Sequence, residues 1–238
     1  MTGWIIAEEA ERRVPGFFAA RGENSWQVDV DNRLISSRFG VAEVRVQTKP
    51  DGTPDFDRVV YGEAPNINAV VYGFGPNRVC KVAVVNQARP FADLPTGEPA
   101  EVPIVFGQPC VMGFRHNLGG LNLSKAFEAA YQSAAREAAE EAGVKGVLHI
   151  AQLGYHNPNP TFVSTWSELF EIEVNLDTLT GETDRAELIY KAEYLPLKEV
   201  LRRIAQGEHN GVNYRSATAN NALFVWLSGR PELFAQLS

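Results

Sequence analysis

The chain has 238 residues, 45% of them hydrophobic and 21% charged, enough for one large domain or a domain with an added subdomain. Its 22 basic residues are outnumbered by 29 acidic ones, a formal net charge of −7. That balance argues against a protein whose main task is gripping a nucleic-acid backbone, but it is compatible with a small anionic ligand where a metal or a few basic groups offset local repulsion.

From Trp26 the chain reads as strands. "WQVDV" and "VAEVRVQ" alternate apolar and polar residues, "KPDGTPDFDR" holds turn chemistry, and "RVVYGE" resumes strand character. These predict an N-terminal β-rich extension over residues 1–63, ahead of a main domain over 64–238. "INAVVYGFG" and "VCKVAVVNQ" are the next strands, flanking a Gly-Pro-Asn turn. "RPFADLPTGEPAEVP" reads as irregular, "IVFGQPCVMGF" as β structure and "RHNLGGLNL" as a loop. The longest helix signal follows Ser124, a plausible N-cap, and runs from Lys125 to Ala142 without Gly or Pro, with Gly143 placed to end it. Strands are expected at "VLHIAQLGYH", "FVSTWSELFEIEV" and, at a sheet edge, "LIYKAEYLPL". Helices are expected at "LKEVLRRIAQG" and "SATANNALFVWLSG", where Arg202 and Arg203 read as a solvated face. The order implies an α+β class with a mixed sheet between helical layers.

No apolar run reaches the ~20 residues that span a bilayer, and "MTGWIIAEEAERR" lacks the pattern of a secretory signal. Cys80 and Cys110 belong to no CxxC pair, so they read as small buried hydrophobes and the expected compartment is the cytoplasm. His149, His156 and His209 show no metal-ligand spacing.

The chemistry concentrates in "SAAREAAEEAGVKG". At about 100° per residue, Glu137, Glu140 and Glu141 share an arc of about 100° on the helix. Phe127, Ala130, Tyr131, Ala134 and Ala138 form an apolar stripe that overlaps one edge of this arc, leaving Glu141 partly solvated. Three acids at this spacing repel one another, and they lie near a helix C-terminus, where the macrodipole disfavours negative charge. Two readings fit: a solvated acidic face, or oxygen ligands for a hard divalent cation such as Mg²⁺.

Around these acids, Glu128 stands eight positions before Arg136, and Arg136, Glu137, Ala138, Glu140, Glu141, Gly143 and Val144 follow in one register. The stretch resembles the signature of the Nudix hydrolase family, which ends in Arg-Glu-apolar-x-Glu-Glu-x-Gly-apolar with a Gly and a Glu upstream. Asn122 stands where the family has its glycine, and Gly119 and Gly120 lie just before it, so the glycine half reads as two residues longer. The resemblance implies an α/β/α Nudix fold over residues 64–237, plus an N-terminal β-rich extension that mediates a homodimer. It implies Mg²⁺, with Mn²⁺ as substitute, and cleavage of the diphosphate of a nucleoside diphosphate linked to another group. By the same resemblance Glu140 and Glu141 are metal ligands, Glu137 is a ligand or the general base, and Glu128 is a supporting acid of the metal site. Arg136 holds a carboxylate in place, and a backbone carbonyl of Gly119 or Gly120 completes the coordination.

"VVNQARP" resembles the Gln-x-Arg strand end of the family's ADP-ribose and nucleotide-sugar pyrophosphatases. Arg89 is therefore a phosphate or ribose contact, or a surface arginine at a strand end. Arg115 and His116, beside the glycine loop, are candidate phosphate contacts. Where those enzymes carry a Gly and a catalytic Glu in a later loop, this chain has Thr161 and Thr165. Glu168 replaces that acid only in a shifted register. Trp166 is read as a base-stacking residue or a core or interface tryptophan. The expected ligand is a small nucleoside diphosphate derivative, with no nucleic acid and no membrane as partner.

Overall fold

The computed structural model describes strands at residues 27–29, 34–37, 40–48 and 54–63, and then residues 65–89, 102–115, 128–157, 166–180, 189–235 and 237. The chain divides into two compact units, one of residues 1–66, 117–127 and 157–167, the other of 67–116, 128–156 and 168–238.

In the first unit β1 (Gln27–Asp29), β2 (Leu34–Ser37), β3 (Gly40–Thr48) and β4 (Pro54–Glu63) form an antiparallel sheet in chain order. The register between β3 and β4 shifts at Gln47/Thr48, opposite Pro54, which has no N–H to give to a ladder. β2, only four residues long with its apolar Leu34 and Ile35 adjacent, carries too little alternation to be expected from sequence.

The second unit is built on a nine-stranded mixed sheet. Its strands are β5 (Asn66–Phe74), β6 (Cys80–Arg89), β7 (Ile104–Gln108), β8 (Val111–Phe114), β9 (Val147–His156), β10 (Ser167–Val174), β11 (Ile189–Pro196), β12 (Glu208–His209) and β13 (Val212–Asn213). β5 pairs antiparallel with β6 only over Tyr72–Phe74; past Val82, β6 takes β7 on that edge while β8 pairs with β5. The parallel pair β5–β10 needs a long crossover, which the intervening helix supplies. β11 lies along the other edge of β6, as expected of an edge strand. β12 and β13, missed in the sequence, flank Asn210 and Gly211, both at positive φ, the Asn-Gly signal of a tight hairpin.

Four helices are described: α1 (Ala130–Ala142), α2 (Leu197–Gln206), α3 (Ala217–Ser228) and α4 (Pro231–Phe234). β5 is buried from Ile67 to Gly73, so both its faces are covered. On one face Val70, Tyr72, Val82 and Val84 pack with Leu197, Val200, Leu223 and Trp226 of α2 and α3. On the other Val71, Ala83 and Val85 pack with Ala134 and Ala138 of α1. The unit is thus the expected α+β architecture, an α/β/α sandwich around a mixed sheet, and the N-terminal β-rich sheet is present. Cys80 and Cys110 are both buried, as expected. No helix among the described residues is long and apolar enough to cross a membrane.

Two expectations are corrected. Glu128 and Ala129 are not helical and α1 starts at Ala130, with Ala129 as an N-cap that makes no side-chain bond. Ser124 lies outside the described residues. Arg203 is also not a solvated residue. It donates to the Tyr214 hydroxyl at 2.7 Å and to Glu199 at 2.7 Å, tying α2 to the segment before α3. Arg202 does lie exposed, bonded to Glu199.

Candidate active site

Helix α1 forms because alanine dominates it, and it stops at Gly143, whose left-handed φ of 66° and ψ of 30° suit a residue without Cβ. Its sheet-facing stripe is Ser133, Ala134, Glu137, Ala138, Glu141 and Ala142. The predicted stripe was different. Tyr131 is 56% exposed, whereas Glu137 and Glu141 keep only 4% and 2% of their surface. Two of the three acids therefore face the sheet and only Glu140 is exposed.

Strand β8 makes this burial tolerable. A Cβ on Gly113 would stand where the Glu137 carboxylate lies, so the missing side chain provides its space. One residue earlier, the Met112 N–H donates to Oε2 of Glu141 at 3.0 Å. A carboxylate withdrawn from water needs such partners, since an unpaired buried charge is far more costly than the packing gained.

Arg136 gathers the remaining acids. Its Nη1 lies 2.7 Å from Oε1 of Glu137 and 2.9 Å from Oε2 of Glu140. Its Nη2 donates to Oε2 of Glu128 at 3.2 Å, to the Phe114 carbonyl at 3.1 Å and to the Ser133 hydroxyl at 3.3 Å. Burial disfavours the Arg136 charge, but the bond to Glu128 and the negative Glu137 and Glu140 outweigh it and hold the guanidinium above its usual range.

Three carboxylates on one guanidinium, with Glu141 beside them, leave negative charge in excess. All the donors are hard oxygens, and Glu137 and Glu140 already offer two of them around one point. That chemistry fits a divalent cation of the Mg²⁺ type. Among the described residues, however, no group of three or more His, Cys, Asp or Glu side chains stands ready as a metal cage. The nitrogen of Arg136 occupies the point between Glu137 and Glu140.

A second polar chain adjoins this cluster. Arg115 donates from Nε to the Glu128 carbonyl at 2.7 Å and from Nη1 to Oε1 of Glu168 at 2.9 Å, and Gln152 donates to Oε2 of Glu168 at 3.0 Å. Glu168 is thus tied to Arg115 and Gln152, on the α1 side of β10. Arg89 is half-buried at the end of β6, opposite Ile104. Its charge and that of Glu141 both act on the Cys110 thiol, which burial pushes up, Glu141 raises further and Arg89 draws back. Trp166 belongs to the first unit and is 58% exposed, so it is no core tryptophan. Gly119, Gly120, His116, Thr161 and Thr165 lie outside the described residues.

Sequence reasoning missed Gly113, the Met112 N–H, the Phe114 carbonyl and Gln152. Only Gly113 left a sign, a glycine inside the four-residue strand "VMGF", where a glycine marks a bulge or a close approach. Backbone donors and acceptors have no signature in residue identity.

No family model and no curated protein matches the chain. Among solved structures it is similar to a crystal structure of an ADP compounds hydrolase, at 17% sequence identity and a TM-score of 0.50, over 82% of this chain and 90% of that one. At that identity the likeness speaks to the fold.

Proposed function

We propose that the chain is a divalent-metal-dependent hydrolase that cleaves the diphosphate of a nucleoside diphosphate linked to another group, ADP-ribose-like or a nucleotide sugar. The observation that carries this reading is the burial of Glu137 and Glu141 on the sheet-facing stripe of α1, where a structural helix would place apolar residues. The similarity to an ADP compounds hydrolase points the same way.

A bound Mg²⁺ would neutralise the diphosphate and activate water. Glu140 and Glu141 are assigned as its ligands, with Glu141 oriented by the Met112 N–H. Glu137, set against Gly113, is a further ligand or the base that takes the proton from water as that water attacks phosphorus and the phosphoanhydride oxygen leaves. Arg136 would keep Glu137 and Glu140 together beside the ion, itself held by the Glu128 carboxylate. Arg89 offers a guanidinium to the departing phosphate or to ribose. A homodimer through the N-terminal extension belongs to the same reading.

The test is a panel of nucleotide sugars, ADP-ribose, dinucleotides and nucleoside triphosphates with Mg²⁺ or Mn²⁺, read by phosphate release and mass spectrometry. Turnover to phosphomonoesters is expected, with Glu141→Gln at least about a hundredfold slower. That variant keeps an oxygen for the Met112 N–H, so its fold should survive. No turnover of any panel member overturns the enzyme reading, and tight nucleotide binding without product over hours favours a nucleotide sensor instead.

A further inference from the structure

Arg115, a candidate phosphate contact, bonds through Nε and Nη1 to groups of the protein itself. It stands at the end of β8 and reaches Glu128, 13 residues on, at 2.7 Å from Nε to the backbone carbonyl. Its Nη1 meets Glu168 at 2.9 Å, and Gln152 holds the other oxygen of Glu168 at 3.0 Å. Arg136 makes the reverse connection, from the helix to the Phe114 carbonyl at 3.1 Å and to the Glu128 carboxylate at 3.2 Å. Two guanidiniums therefore bind Glu128, one by its backbone and one by its side chain, and both tie it to the end of β8. The Arg115 and Glu168 side chains keep only 22% and 18% of their surface, so this is not the screened surface pair whose geometry counts for little.

We propose that Arg115 is a positioning residue of the acidic site. Held by Glu168, it fixes Glu128, and through Glu128 it sets the guanidinium of Arg136 and the carboxylates that Arg136 gathers. The inference rests on the metal-binding part of the reading above. It differs from a role in substrate contact in what it predicts: Arg115 governs metal affinity, and Glu168, which is assigned no ligand, governs it equally.

The experiment is Mn²⁺ titration of the full chain by paramagnetic resonance, without substrate, for the wild type, Arg115→Gln, Glu168→Gln and the double variant. Each single change is expected to weaken Mn²⁺ binding about tenfold, the scale seen when partners of metal ligands are removed. The double variant should be no weaker than Arg115→Gln alone, because both changes break one connection. At saturating metal the substrate KM should be unchanged. Unaltered Mn²⁺ affinity in a folded Arg115→Gln protein overturns the proposal, as does a fall in thermal stability alone. A raised KM at saturating metal, with Glu168→Gln normal, overturns it in favour of direct substrate contact. If Arg115→Gln does not fold, Glu168→Gln, which keeps shape and an acceptor oxygen, carries the test. Wild-type Mn²⁺ binding without any hydrolysis would remove the enzyme reading and leave this inference standing; absent Mn²⁺ binding would remove both.

Discussion

Gly113 shows how much a single absent side chain decides. A methyl group there would overlap the Glu137 carboxylate, with Cγ of Glu137 only 2.6 Å from the added atom. Glu137 cannot swing away freely, because Arg136 holds it at 2.7 Å. Gly113→Ala is therefore expected to weaken Mn²⁺ binding while costing about 1–3 kcal/mol of stability, the usual range for overpacking, measured by titration and by urea unfolding. His156 is a different case at the same scale. Neither of its ring nitrogens has a hydrogen-bond partner among the described residues, and burial lowers its pKa below the ordinary 6.5. The folded state thus prefers neutral imidazole while the unfolded chain binds the proton more readily. The contribution is complete above the unfolded value of 6.5 and is lost as pH falls through the folded one. Replacing His156 with Gln should flatten the fall in melting temperature as pH drops below 6.5; an unchanged slope would show that other groups set it.

At the scale of elements, α1 holds carboxylates near its C-terminus against its own macrodipole. It closes with the left-handed Gly143, and the Val144 N–H returns to the Ala138 carbonyl at 3.2 Å. Gly143→Ala should cost about 1 kcal/mol, the strain of a Cβ at positive φ, read as a lower urea midpoint with an unchanged slope. The C-terminus of this helix was legible because glycine has a specific conformational use. Its start was not, because the alanine-rich run reaches past the real boundary and Ala129 caps without a side chain. Periodicity also misassigned the buried stripe. It counts Tyr131 as apolar and Glu137 as polar, whereas β8 offers a gap and a donor to the acids and leaves Tyr131 in solvent.

At the scale of the whole molecule, the α2–α3 face of the second unit is closed by an ion pair that no motif announces. Arg230, just before α4, donates to Glu171 of β10 from Nε at 3.0 Å and to the Tyr72 hydroxyl at 2.9 Å. Its guanidinium lies 5.0 Å from the Tyr72 ring centroid and 5.7 Å from that of Trp226. Glu171 keeps 9% of its side-chain surface, so loss of the arginine strands a buried charge. Arg230→Met should destabilise by about 3 kcal/mol, and adding Glu171→Gln should recover much of it, a coupling that denaturant unfolding of the cycle measures.

The sequence by itself determined the alternation of strands and helices, the mixed α+β class and the register of Arg136, Glu137, Glu140, Glu141 and Gly143, because these depend on local propensity, hydrophobic period and spacing along one helix. The tertiary structure alone decided which acids are buried, why they tolerate it and what Arg115 is bonded to. Those answers depend on a missing Cβ, a strand N–H and two backbone carbonyls brought from elsewhere in the chain, and main-chain groups are the same in every sequence until the fold sets them in place.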